Sequence, residues 1–143
     1  DPTSVLWKEA LECTPNDTVS RRKIWQENPE IVHEDGTVTD EKFIRTITTK
    51  QDRHPNSGNI YFDCGVAGRG KFRYLTPREC LLFMGFEDKD YESLQANNPE
   101  QRVKSKLFPR DKIIRMAGNS IPVKMLEGFF YQLYKIEPIM EGD

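Results

Sequence analysis

The chain is poor in the residues that most often carry chemistry: 143 residues hold only two histidines, three cysteines and two tryptophans. Cys13, Cys64 and Cys80 are odd in number, widely spaced and without a C-x-x-C pair, which argues against a disulfide framework and against a zinc site. His33 and His54 could hold a metal only with acidic partners, and no recognisable cluster of these occurs, so no metal-ligating residue is assigned and free thiols are expected. Apolar runs are short as well. None approaches the roughly 20 residues that span a bilayer, and DPTSVLWKEA lacks the basic-then-apolar order of a signal peptide. A cytoplasmic protein without a membrane partner is expected. Its first residue, Asp1, is not Met, which suggests a segment cut from something longer.

What the chain does have is charge. Charged residues make up 31% and hydrophobic residues 36%, so the core of this single domain is modest and much surface is left for solvent or partners. The net charge of −2 conceals an uneven distribution: residues 1–41 carry 4 basic and 10 acidic side chains, 42–78 carry 8 and 2, and 79–143 carry 9 and 11. A basic block between acidic flanks is what a phosphate-facing surface looks like, because only the contact face must be positive. A solvated loop with accidental charge is the alternative.

Local patterns divide the chain. SVLWKEALE predicts a helix capped by Thr3 or Ser4, with Val5, Leu6 and Ala10 near one apolar face, and Ser20 can cap a second helix through RRKIWQEN. From Lys42 the period changes: KFIRTITTK alternates as a strand does, a polar loop QDRHPNSGN follows, and IYFDC and FRYL read as further strands around the glycine-rich GVAGRGK. The spacing of Gly65, Gly68 and Gly70 resembles a dinucleotide cradle, but an extended segment follows where a helix should open, so a loop is expected. In RYLTPRECLLFMGF, Thr76 is an N-cap, Pro77 an N1 residue and Glu79 the partner of a capping box, with Gly85 as the stop. Later, a short helix is expected near YESLQA and another over PRDKIIRMAGNS. After Ser120 as N-cap, Val123, Leu126, Phe129, Phe130 and Leu133 follow helical spacing. The expected fold is α+β, a small sheet with glycine-rich basic loops flanked by short helices and a longer C-terminal helix.

Together, RYLTPRECLLFMGF and RMAGNSIPVKMLEGF resemble the last two motifs of the cytosine-5 DNA methyltransferases, R-x-L-T-P-R-E-C and G-N-S-V-P-V, with Ile121 in place of Val. TITTKQDRHPNSGNIYFDCG is more loosely similar to the distal part of that family's target recognition domain. The resemblance covers about residues 42–136. It implies a target recognition domain at 1–86 (variable helices at 1–41, sheet and DNA-facing loops at 42–75, bracing helix at 76–86), and at 87–143 a segment returning to the catalytic domain. Family members attack cytosine with a cysteine in a P-C pair, engage it with an E-N-V glutamate and hold S-adenosylmethionine in an F-x-G-x-G loop. This sequence contains none of the three, so no catalytic residue is assigned.

The resemblance therefore implies the DNA-recognition and C-terminal portion of a methyltransferase, inactive alone, bacterial, nucleoid-associated and paired with a restriction system. Its partners would be double-stranded DNA and a catalytic domain or subunit, with self-association through the C-terminal helix when isolated. Asn119 and Ser120 would contact the cofactor, S-adenosylmethionine. Candidate DNA contacts are Arg45, Lys50, Arg53, Arg69, Lys71, Arg73 and Arg78 on phosphates, and Thr46, Thr48 and Thr49 as hydroxyl donors. Gln51, Arg53, His54, Asn56 and Asn59 are candidates for reading bases. Internal ion pairs are the alternative for Arg73 and Arg78. A stand-alone nucleic-acid-binding or scaffold module, or an RNA-directed member of the family, are the alternatives for the whole.

Overall fold

A computed structural model describes residues 1–26, 46–51, 60–101 and 105–140. Six helices and two strands occur among them: α1 (Val5–Glu12), α2 (Val19–Gln26), β1 (Ile60–Tyr61), β2 (Phe72–Arg73), α3 (Pro77–Phe83), α4 (Asp88–Ala96), α5 (Arg110–Asn119) and α6 (Val123–Met140). The strands pair antiparallel, with Ile60 opposite Arg73 and Tyr61 opposite Phe72, and the architecture is α+β.

The sheet differs from expectation in its third lane. Of the segment read as a strand at 42–50, residues 46–50 have no strand conformation, and 42–45 lie outside the described residues. Instead, residues 13–17 run beside the chain of β2 on the side away from β1. Tyr74 donates to the Cys13 carbonyl at 3.0 Å, Gly70 to the Pro15 carbonyl at 2.9 Å, and Asp17 to the Gly68 carbonyl at 2.9 Å. TPNDT reads locally as a turn, and only the tertiary pairing of Asn16 with Arg69 makes it a lane.

Helix boundaries follow their caps. The Ser4 hydroxyl accepts from the Trp7 amide at 3.1 Å and starts α1, of which Ala10 is buried whereas Val5 and Leu6 are exposed, so the expected apolar face is mostly turned outward. Thr18, not Ser20, accepts from the Arg21 amide and opens α2. Acidic residues open α4, where the Glu87 amide donates to the Asp90 carboxylate at 2.8 Å and the helix begins several residues before YESLQA. Asn98 bonds both the carbonyl and the amide of Phe108 at 2.9 Å, closing the loop that delivers the chain to α5.

The core joins α3 to α5. Ile47, Leu75, Cys80, Met84, Ile114 and Ala117 form one buried cluster, with Ile60, Leu81 and Phe86 packed against it. Each fully buried aliphatic side chain contributes about 1.5–3 kcal/mol. The last helix is different: Val123 and Leu126 are half-buried, but Met125, Phe129, Phe130, Leu133, Tyr134 and Ile136 are exposed.

Candidate functional site

The opening of α3 is built from charge as well as caps. The Thr76 hydroxyl accepts from the Glu79 amide at 3.1 Å, and the Glu79 carboxylate accepts from the Thr76 amide at 2.8 Å, completing the capping box. Arg73 then grips the same carboxylate with both Nη atoms, at 2.7 and 2.8 Å, and lies over the Phe62 ring. Burial acts to raise the pKa of Glu79, but the Arg73 and Thr76 hydrogen bonds outweigh it and hold the carboxyl below its usual value. Arg78 is the hub of a second network. Its guanidinium bonds Glu9 of α1 at 3.0 Å and Asp88 of α4 at 2.7 Å, with the Tyr91 ring 4.6 Å away, so one side chain ties three helices. Bonding to Glu9 raises its already high pKa further. Both arginines thus take the internal ion pairs that were the alternative to phosphate contact.

Residues 46–51 are threaded through this brace. Gln51 is only 2% exposed. Its Oε1 accepts from the Leu75 amide at 2.6 Å and its Nε2 faces the Cys80 sulfur at 4.0 Å, so it is a structural strut and not a reader of bases. At the other end of the segment, the Ile47 backbone lies against Gly118, where any Cβ would run into the Ile47 carbonyl. The glycine of G-N-S is there because another backbone occupies the side-chain space. Burial pushes the Cys13 thiol up to about 11 and, with the Glu79 charge, the Cys80 thiol up to about 12. Both therefore stay protonated near neutral pH, which suits packing and not nucleophilic attack.

The two signature stretches meet. Val123 donates to the Met84 carbonyl at 2.9 Å, which joins the start of α6 to the end of α3, and Gly85 reverses the chain there at φ 87° with Val123 against it. Ser120 does not cap α6. Its hydroxyl donates to the Ala117 carbonyl at 2.7 Å and closes α5, while Asn119, the last residue of α5, is exposed at the same corner. These two residues are the cofactor contacts expected from the sequence, and they sit side by side at the corner between α5 and α6.

Of the predicted DNA contacts, Lys50, Thr46, Arg69 and Lys71 are exposed and Thr48 and Thr49 half-buried, whereas Arg45, Arg53, His54, Asn56 and Asn59 lie outside the described residues. Arg69 bonds the Thr14 carbonyl at 2.6 Å, and Arg21 bonds the Asn16 carbonyl at 3.0 Å. Sequence reasoning passed over Arg21, because it lies in an acidic third of the chain and only the 13–17 lane carries it to the basic loop. Among the described residues no group of three His, Cys, Asp or Glu could hold a metal ion, and no helix is long and apolar enough to cross a membrane.

Comparisons with known proteins agree with the motif pair. No solved structure matches the chain. It is 31% identical over 93 residues to the type II methyltransferase M2.ScrFI of Lactococcus lactis subsp. cremoris, a match covering 65% of this chain and 22% of that protein. The chain therefore spans about a fifth of that relative's length. The family model described as C-5 cytosine-specific DNA methylase matches residues 6–135, and the chain belongs to that family.

Proposed function

We propose that this chain is the DNA-recognition and C-terminal portion of a cytosine-5 DNA methyltransferase, whose nucleophile and main cofactor loop lie on another segment or subunit. The observation that carries this reading is the junction of the two motifs, closed by the Val123 to Met84 hydrogen bond, from which α6 projects with its apolar side uncovered. At 3.6 residues per turn, Met125, Leu126, Phe129, Phe130, Leu133, Tyr134 and Ile136 cover an arc of roughly 180°, wider than a helix resting on one surface needs. Lys124, Glu127, Gln132 and Lys135 occupy the remaining side, with Tyr131 among them. Such a helix is suited to a groove in a larger body, and the catalytic portion of the enzyme is that body.

In the assembled enzyme, Asn119 and Ser120 would line the methionine end of S-adenosylmethionine. The exposed Asn119 amide offers both donors and an acceptor, and the Ser120 oxygen keeps lone pairs after donating to Ala117. The cofactor supplies the methyl group. Lys50, Arg69 and Lys71 would hold DNA phosphates, with Thr46, Thr48 and Thr49 beside them, while Arg73 and Arg78 position α3. Arg45, Arg53, Asn56 and Asn59 remain proposed contacts from the sequence.

The test is direct. The purified chain, given DNA and S-adenosylmethionine with a labelled methyl group, is expected to bind DNA weakly and transfer no methyl. Activity is expected on adding a polypeptide that carries the P-C, E-N-V and F-x-G-x-G motifs and is encoded beside it. Methyl transfer by the 143-residue chain alone would overturn the proposal.

A further inference from the structure

The 13–17 lane has two edges with different work. On the inner edge, the Cys13 and Pro15 carbonyls accept from Tyr74 and Gly70. Carbonyls alternate in direction along extended chain, so those of Thr14 and Asn16 face the opposite edge. Each of these is taken by a guanidinium, Arg69 on Thr14 at 2.6 Å and Arg21 on Asn16 at 3.0 Å. Two residues of extended chain put the Thr14 and Asn16 carbonyls about 7 Å apart, with one cation held on each.

That proximity is unfavourable by itself, since like charges repel. The lane's own carboxylate, Asp17, is engaged by Arg22 at 2.9 Å. The Nε of Arg21 is closed off from solvent, so a ligand would meet the Nη end of its guanidinium. A guanidinium has five N–H donors in a planar fork, and each carbonyl accounts for one of them. The acceptor that suits two such forks at once is a tetrahedral oxyanion with charge spread over several oxygens. Lys71 and Lys23, both exposed, add positive charge on the flanking loop and helix.

We infer that Arg21 and Arg69 together form a phosphodiester-binding site on the outer edge of the 13–17 lane, which makes Arg21 a DNA contact outside the basic block of residues 42–78. The site rests on the DNA-recognition reading above and extends it to α2. Neither arginine acts alone. Each is aimed by a backbone carbonyl of the same three-residue stretch, so loss of one leaves the other half of a site.

Binding of a short fluorescein-labelled duplex to the full chain, measured by anisotropy over a range of salt concentrations, tests this. Arg21→Gln and Arg69→Gln are each expected to make the log–log salt dependence shallower by about 0.9. The double variant is expected to lose less affinity than the product of the single losses, because the first substitution already breaks the pair. Lys89→Gln on α4 serves as the charge-matched control and leaves the slope unchanged. Arg69 is exposed, so Arg69→Gln keeps the fold whatever happens at Arg21. A wild-type salt slope retained by folded Arg69→Gln and Arg21→Gln overturns the site but leaves the DNA reading standing. Failure of the unsubstituted chain to bind duplex at any salt overturns the DNA reading, and the site with it.

Discussion

Helices α3 and α6 carry the two signature motifs, yet they are finished to opposite degrees. Around the start of α3 the R-x-L-T-P-R-E-C side chains turn inward: Thr76 and Glu79 cap each other, Arg73 closes on Glu79, Arg78 on Glu9 and Asp88, and Cys80 is fully buried, while only Leu82 and Phe83 at the end of the helix are exposed. Along α6, Phe129 and Phe130 stand 59% and 62% exposed. The contrast separates a motif that holds this domain together from one left largely uncovered, the face that the proposed docking on a catalytic portion would cover.

The strongest way to break the contrast is at Arg78, whose side chain is 11% exposed beside a Glu9 that is 15% exposed. Arg78→Met leaves Glu9 without its partner and separates α1, α3 and α4. A loss of about 2–4 kcal/mol in urea unfolding is expected, the exposed Asp88 contributing little. A loss under about 0.5 kcal/mol would show that the network is ornamental.

The next largest effect compares two helical glycines. Gly118→Ala forces a Cβ against the Ile47 carbonyl and is expected to cost about 1–3 kcal/mol, whereas Gly128→Ala on α6 enters open space and is expected to add about 0.5–1 kcal/mol. Equal effects at the two sites, by thermal melting, would contradict the packing described here.

Glu79 sharpens the comparison through pH. Its folded-state pKa lies below the unfolded value of about 4.3, so its stabilisation is complete above that pH and is lost as the pH falls through the folded value. Glu79→Gln is expected to lower stability by about 1–2 kcal/mol at neutral pH. It should also flatten the acid limb of a stability profile measured by denaturant titration. The smallest effect is expected on α6, where Phe129→Ser with Phe130→Ser changes stability by less than about 0.5 kcal/mol. The same pair should lower self-association in sedimentation and abolish rescue by the catalytic segment. A large loss of stability would mean that α6 belongs to this domain's own core.

Much of α3 was legible because its rules are local. T-P-R-E specifies a helix start within four residues, and Gly85 a stop, whatever surrounds them. Gln51 was misread for the opposite reason. A polar residue in a basic loop looks like a base reader, and only the Leu75 amide, 24 positions later, shows that it satisfies a buried donor. Ser120 was misread by one helix, since a serine between two helices can close the first or open the second, and the Ala117 carbonyl decides.

By itself, the amino-acid sequence determined the family, the capped start and glycine stop of α3, the basic block and the absence of the family's P-C, E-N-V and F-x-G-x-G motifs, because motifs and caps depend on residues close together in the chain. Tertiary structure alone decided that Arg73 and Arg78 pair inward, that Gly118 makes room for Ile47, and that residues 13–17 offer the Thr14 carbonyl to Arg69 and the Asn16 carbonyl to Arg21. Each of these depends on which groups meet, and how much room is left between them, after the chain has folded back on itself. Such meetings join residues as much as 71 positions apart, as in the Ile47 to Gly118 contact, where no local pattern can express them.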